Sequence, residues 1–317
     1  MIRGTSDHFD GRRFHNPTGP QPQPFSKVPR MLLERRSTPW PRYVEDPPQT
    51  LPGVDGTSAV VTFIGHATFL IQTSSGNILT DPIYSDVAGP LNTFGPRRVR
   101  RPAVALDDLP PIAIVLLSHN HYDHCDLPTL RQIATRFDPV VITPIGNGRL
   151  ARSAGIRRVE ELDWWQQASS TGIPITATPA HHFSARHPFD RNRALWSGFL
   201  VKTGTKQIYF AGDTAYGAFF RDIRHRLAPI DLALLPIGAY EPRWFMQSVH
   251  MNPAEAVQAH IDLESSQSVG MHFGTFPMTI EGIDEPVRAL EVALRANRID
   301  PSRFRTLRFG ESVRLDT

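Results

Sequence analysis

The sequence predicts an α/β fold, a four-layer αββα sandwich made of two pseudo-repeated halves. Three observations carry this reading. Ser197 to Asp213 repeats the plan of Ala67 to Asp81: strand, glycine-containing hairpin, strand, aspartate. Leu227 to Pro236 then repeats Leu109 to Ser118, an apolar run entered through proline. Two correspondences in the same order point to a duplicated strand-rich unit and against two independent domains. Finally, Ile112 to Leu117 is continuously apolar, as expected of a strand covered on both faces.

The elements follow in order. Residues 1–58 hold Pro17, Pro20, Pro22, Pro24, Pro29, Pro39, Pro41, Pro47 and Pro48, too many for long helices or central strands. They read as an extended arm packed on a single domain, residues 59–317. One short helix is expected near Pro29–Arg36, with Phe9, Phe14, Phe25, Trp40 and Tyr43 as anchors. Val60–Ile64, Phe69–Thr73 and Ile78–Thr80 are strands, with a hairpin loop at Ser74–Asn77. Residues 83–108 form a long loop. After the 112–117 strand come a helix over Leu127–Phe137, a strand at Val140–Thr143, a short helix over Gly146–Ala154 and a strand at Val159–Leu162. In the second half Asn252-Pro253 starts a helix that runs to Leu263, an N-cap followed by proline at the first helical position. Glu285–Asn297 is a further helix, and Phe304–Val313 returns as strands.

Composition sets bounds on function. The chain has 317 residues, 40% hydrophobic and 21% charged, and a net charge of only +3. No run approaches the roughly twenty apolar residues needed to span a bilayer. The N-terminus lacks the apolar block of a secretory signal. Cytoplasmic residence is the expectation, with peripheral contact at the inner membrane face. The lone Cys125 excludes an internal disulfide and reads as a small buried filler. The cluster Arg97-Arg98-Val99-Arg100-Arg101 is either a solvated loop or a site for phosphate groups of a substrate or an anionic membrane. No aromatic interleaving or basic helix accompanies it, so nucleic acid is not an expected partner.

Chemistry gathers in one loop. The 112–117 strand ends in Ser118-His119-Asn120-His121-Tyr122-Asp123-His124. Three imidazoles and a carboxylate in six residues are too polar to bury unpaired, and a bound cation satisfies them. Leaving a strand, His119 and His121 can point one way while Asp123 and His124 turn to a second position, which suggests two adjacent metals. Other strand ends offer His181 and His182, Asp213 and His272, where sites in layered α/β proteins collect. His66, after a strand and a glycine, reads as a support to the ligands.

These residues resemble the metal motifs of the metallo-β-lactamase superfamily. The closer likeness is to its N-acyl-phosphatidylethanolamine-hydrolysing phospholipase D branch and bacterial relatives. It is carried by Leu79–Ile83, Gly95–Arg98, Ser118–His124, Glu161–Trp165, Phe210–Thr214 and Pro236–Met246. The likeness implies that His119, His121 and His182 hold one zinc, and that Asp123, His124 and His272 hold a second. Asp213 then bridges, and His181 supports His182 from outside. Where vertebrate members of the branch carry a lysine, this chain has Ala185 and then Arg186.

The expected chemistry is phosphodiester hydrolysis by a hydroxide shared between two metals about 3.5–4 Å apart. Asp123 and Asp213 are the catalytic carboxylates, and His250 binds the substrate phosphate or protonates the leaving group. Tyr122 and Arg243 are further substrate contacts, although Arg243 also reads as one half of a structural ion pair. Two Zn2+ fit the mixed nitrogen and oxygen donors, with iron or manganese also compatible. Phe94, Tyr122, Trp164, Trp165, Phe183, Trp244 and Phe245 lean toward an amphiphilic substrate such as a phospholipid. The alternatives are a lactonase and, outside hydrolysis, a di-iron redox or binding protein. The sequence leaves a homodimer open.

Overall fold

Alternation within the apolar runs divides their side chains between two cores. In the computed structural model of the chain, residues 5–34, 38–47, 49–54 and 58–316 are described. Pro48, the Arg35–Arg36 end of the expected first helix and the side chain of Phe25 lie outside the described residues. Ile114 and Leu116 point into the core between the sheets, whereas Val115 and Leu117 point into an outer core against helices. A strand with apolar cover on both faces has no polar positions to alternate, which accounts for the unbroken run.

The first sheet holds β1 (Ser58–Gly65), β2 (Thr68–Thr73), β3 (Gly76–Thr80), β4 (Ile112–Leu116), β5 (Val140–Pro144) and β6 (Arg158–Leu162). The second holds β7 (Ile175–Thr178), β8 (Gly198–Thr203), β9 (Lys206–Phe210), β10 (Leu232–Pro236), β11 (Gln267–Met271) and β12 (Phe304–Thr306). The last strand, β13 (Ser312–Asp316), crosses back to pair antiparallel with β1. The orders are β13-β1-β2-β3-β4-β5-β6 and β12-β11-β10-β9-β8-β7. Each half begins with antiparallel hairpins, β1-β2-β3 or β7-β8-β9, and continues with parallel strands. The duplication expected from the repeated runs is therefore a duplication of topology.

Two boundaries differ from expectation. The β2-β3 loop is only Ser74 and Ser75, because Gly76 at φ 138° enters the strand directly. The strands expected over 304–313 form, but the last runs on to Asp316 and the two lie in different sheets: β12 closes the edge of the second sheet, and β13 carries the chain to the first. Strand pattern alone cannot show that a chain changes sheets.

Phe63, Phe69, Phe199, Phe210 and Phe304 are fully buried where the sheets face each other. Helix α2 (Leu127–Phe137) and α3 (Gly148–Ser153) cover the first sheet through Leu130, Ile133 and Ala151. Helices α4 (Phe219–Leu227), α6 (Pro253–Leu263) and α7 (Glu285–Ala296) cover the second through Ile223, Val257, Leu263 and Leu290, and the short α5 (Arg243–Met246) lies between α4 and α6 in the chain. Asn252 caps α6 in a capping box with Glu255. Among the described residues, no helix is long and apolar enough to cross a membrane.

The arm contains the short helix α1 (Val28–Leu33) and touches the domain at discrete points. Phe14 is buried against Trp164, Leu195 and Trp196. The Trp40 indole donates to the Glu281 carbonyl at 2.9 Å. Tyr43, expected to anchor, is 52% exposed, with the Arg101 guanidinium 6.0 Å from its ring centre.

His8 holds the start of the arm. It stacks on Trp164 and lies 2.8 Å from Asp163 and 2.5 Å from Asp7. Burial alone would depress its pKa, but hydrogen bonds to Asp163 and Asp7 outweigh burial and raise it. A raised histidine pKa stabilises below the unfolded value and loses that stabilisation as pH rises through the folded one. The arm should therefore resist limited proteolysis better at pH 5.5 than at pH 8.5, and His8→Gln should flatten the difference. Equal cleavage rates at the two pH values in the wild type would refute the role of this contact.

Candidate metal centre

Strand ends deliver the polar groups to one place. His119, His121, Asp123 and His124 leave β4, His182 follows β7, Asp213 follows β9 and His272 follows β11. All seven are buried except His121, which is half-buried. Backbone strain accompanies them. His66, Asp81 and His272 adopt φ of 56°, 31° and 61°, in the left-handed region that non-glycine residues seldom occupy. Gly212 (φ 60°) approaches Ser118 so closely that a Cβ would sit 2.7 Å from the serine Cβ.

The nitrogens and oxygens form two groups. In the first, His119 Nε2 and His182 Nε2 lie 2.8 and 3.2 Å from His121 Nδ1. In the second, Asp123 Oδ2 lies 2.9 Å from His66 Nε2, 3.2 Å from His124 Nε2 and 3.3 Å from His272 Nε2. Asp213 Oδ2 sits between them, 3.0 Å from His124 Nε2, 3.2 Å from His272 Nε2, 3.8 Å from His182 Nε2 and 4.0 Å from His119 Nε2. The seven residues proposed from sequence are thus brought together. His66 was expected only to support them, yet its ring nitrogen joins the second group directly.

The protons available to these groups cannot satisfy them without a cation. His182 Nδ1 donates to the Val249 carbonyl at 2.9 Å, so on a neutral ring its Nε2 is a bare acceptor. It faces His121 Nδ1, which also faces His119 Nε2, and shared protons cannot satisfy all three. Burial, with repulsion from neighbouring histidines, holds His119 well below its ordinary pKa and takes His121 to about 3. His182 falls to about 4, chiefly through burial. These are neutral imidazoles with lone pairs converging, the form that ligates metal. In the second group burial, with repulsion from His272, takes His66 to about 3, but at His124 and His272 the carboxylates win. Burial opposes charge, but Asp213, Asp123 and Asp81 together hold His124 well above the ordinary value. Against the same opposition, Asp213 and Asp123 raise His272 to about 9. A field that favours protons on buried imidazoles favours a divalent cation in their place. Asp213 Oδ1 is also buried with no hydrogen-bond partner among the described residues. The donor set fits metal.

Outer contacts hold the rings. Asp81 Oδ2 lies 2.7 Å from His124 Nδ1 and accepts from Ser118 Oγ at 2.5 Å, and Ser118 Oγ lies 2.9 Å from His119 Nδ1. Asn16, buried in the arm, donates to the His182 carbonyl at 3.1 Å. Sequence reasoning gave neither residue this role. For Asp81 a signal existed, since it is the repeat partner of Asp213; Asn16 offered none. His181 turns away to meet Thr18 Oγ1 at 3.2 Å.

The remaining candidates separate. His250 is buried beside the centre, its Nε2 3.9 Å from Asp213 Oδ2 and its Nδ1 unpartnered among the described residues. Tyr122 donates its hydroxyl to the Arg186 carbonyl at 3.0 Å and lies under the Arg186 guanidinium. Arg243, proposed as a substrate contact, pairs with Glu255 at 2.8 and 2.9 Å and donates to the His250 carbonyl at 3.0 Å. It braces His250, and with those donors engaged the ion-pair reading is the one the contacts favour. In the arginine cluster, Arg98 donates inward to Ser85, Ile83 and Arg100 carbonyls, and Arg100 pairs with Asp46. Only Arg97 and Arg101 face solvent. Cys125 is buried in the outer core, where burial pushes its thiol up to about 11.

Two sheets carrying a buried His/Asp metal site between their strand ends define a metal-dependent hydrolase of the metallo-β-lactamase fold, and the chain belongs to that family: residues 76–273 match the beta-lactamase superfamily domain. Among relatives, it is 38% identical over 264 residues to N-acyl-phosphatidylethanolamine-hydrolyzing phospholipase D 1 of Caenorhabditis elegans, covering 79% of this chain and 74% of that one. It is 36% identical over 238 residues to the mitochondrial N-acyl-phosphatidylethanolamine-hydrolyzing phospholipase D of Saccharomyces cerevisiae, covering 73% of this chain and 51% of that one. A possible metal-dependent hydrolase from Veillonella parvula superposes with a TM-score of 0.65 at 18% identity, over 80% of this chain and 98% of that one.

Proposed function

We propose that the chain is a dinuclear zinc phosphodiesterase that hydrolyses N-acyl-phosphatidylethanolamine or a related amphiphilic phosphodiester, cutting as a phospholipase D does. The observation that carries the reading is Asp213 Oδ2, placed within 4.0 Å of imidazole nitrogens from both ligand groups. His119, His121 and His182 would hold one metal, and Asp123, His124 and His272 the other, with Asp213 shared. Such metals, when bound, supply Lewis acidity and bring the pKa of coordinated water from 15.7 to about 7. The chain's own groups do the rest. Asp123 and Asp213 orient the attacking water, and Asp81 with Val249 fixes the ring tautomers.

His250 is buried, and its pKa lies well below the ordinary value, chiefly through burial. It is therefore a neutral hydrogen-bond donor to a phosphoryl oxygen, held in place by Arg243. Half-buried Phe183 and Phe245, packed with Val249, the residue before His250, suit an acyl chain better than a sugar. The phospholipase D names of the two relatives support the same bond. Exposed Leu91 and Phe94, with Arg97 nearby in the loop, support contact with an anionic lipid surface.

The test measures metal content of purified protein by mass spectrometry. It then compares hydrolysis of an N-acylated phospholipid, a generic phosphodiester and a lactone. Two equivalents of zinc and release of an N-acylethanolamine are expected. Turnover of the lactone alone would reject the phosphodiesterase.

A further inference from the structure

The far side of the metal loop carries a cavity with both polar and apolar walls that hydrolysis leaves unused. Asn120 and Tyr122 alternate with the ligand residues His119, His121 and Asp123, and they line a cavity of about 460 Å3. Its other walls include Arg149 and Leu150, at the start of α3, and the segment carrying Arg186, His187, Asp190 and Arg193. Three arginines face one aspartate, an excess of two positive charges from these groups.

Those charges are not equally engaged. Asp190 already accepts the backbone N–H groups of Arg186 and His187 at 3.0 Å, and Arg186 donates to the Asn120 and Cys125 carbonyls at 2.9 and 2.8 Å. The exposed guanidinium groups of Arg149 and Arg193 have no hydrogen-bond or ion-pair partner among the described residues. At the cavity wall, Asn120 is only 4% exposed, and its Oδ1 also lacks a partner among the described residues. Two free planar forks suit phosphate oxygens bidentately, and an unpaired carboxamide oxygen suits a hydroxyl donor. The cavity opens to solvent and has room for a ligand larger than a water molecule.

We propose that this cavity binds a phosphate group carrying adjoining hydroxyls, as in glycerol phosphate or a phosphatidylglycerol headgroup. Arg149 and Arg193 clamp the phosphate, and Asn120 accepts from a hydroxyl. The inference is independent of which bond the metal centre cuts. Because Asn120 and Tyr122 belong to the ligand loop, occupancy bears directly on the segment that presents His119, His121 and Asp123.

The experiment titrates glycerol 3-phosphate into the metal-loaded protein by calorimetry, using wild type, R149Q/R193Q and R149K/R193K. The metal centre also attracts phosphate, so wild type should show two binding events. The glutamine variant should keep one and weaken the other at least tenfold, with the lysine variant intermediate. Both variants should hydrolyse a small soluble diester within twofold of wild type, reporting an intact fold and metal centre. Flotation with phosphatidylglycerol and phosphatidylcholine vesicles separates the sources. Binding to phosphatidylglycerol vesicles that the glutamine variant loses assigns the lipid headgroup, and calorimetric binding without flotation assigns the soluble ester. A wild type with only one event, or a glutamine variant that keeps both, overturns the proposal.

Discussion

Asp213→Asn is expected to lower hydrolysis roughly a thousand-fold and to strip metal from the protein. The size follows from position. Asp213 Oδ2 reaches His124, His272, His182 and His119, so one oxygen serves both ligand groups. Burial should push its pKa up, but His124, His272 and His250 overcome burial and hold it well below the ordinary carboxylate range. It is therefore a full negative charge facing the centre, and asparagine keeps its shape without that charge. In the proposed dinuclear centre, Lewis-acid stabilisation worth several kcal/mol would depend on retaining both metals, and each 1.36 kcal/mol is a factor of ten in rate. The variant should still fold, because an uncharged amide is easier to bury than a carboxylate. Two measurements decide the matter, metal equivalents by mass spectrometry and kcat on the preferred diester. A variant that retains both metals and loses less than tenfold in rate would refute the bridging role.

What the sequence makes legible divides by distance along the chain. The loop from His119 to His124 declares itself because an apolar strand stops at a cluster of donors, a local contrast that any fold would have to resolve. Likewise Asn252-Pro253 carries a helix start within two residues, and the cap forms as it suggests, with Glu255 completing a capping box. The repeated hairpins make the halves visible at longer range, since Asp81 and Asp213 end matching strands. Other features depend on partners far away in sequence. His66 meets Asp123 across 57 residues and Asn16 meets His182 across 166, and neither pair leaves a periodic trace. Arg97 to Arg101 looks like one basic patch on paper. In three dimensions its alternate residues turn opposite ways, two inward to carbonyls and a carboxylate, two to solvent.

Asp81 carries the second large effect, and it separates ligand positioning from ligation. Its carboxylate lies on the outer side of the rings: it meets His124 Nδ1 at 2.7 Å and the Ser118 hydroxyl at 2.5 Å, and the Ser118 N–H donates to Oδ1 at 2.7 Å. Through the Ser118 hydroxyl it also reaches His119, so one buried group orients a donor in each ligand set. Burial raises its pKa, and His124 and Ser118 offset that only in part. Asparagine fits the site sterically and tolerates the φ of 31° there, but it offers one acceptor oxygen to three donors. One donor must then face an amide NH2 in the dark of the core, which costs about 1–3 kcal/mol. Loss of such an outer partner typically weakens metal affinity 10–100-fold. Asp81→Asn should therefore lower affinity by about that factor in a chelator competition, while added metal restores most of the rate. That rescue is what distinguishes it from Asp213→Asn, whose rate should stay low at saturating metal. An Asp81→Asn protein that binds metal as tightly as wild type would remove Asp81 from the positioning of the centre.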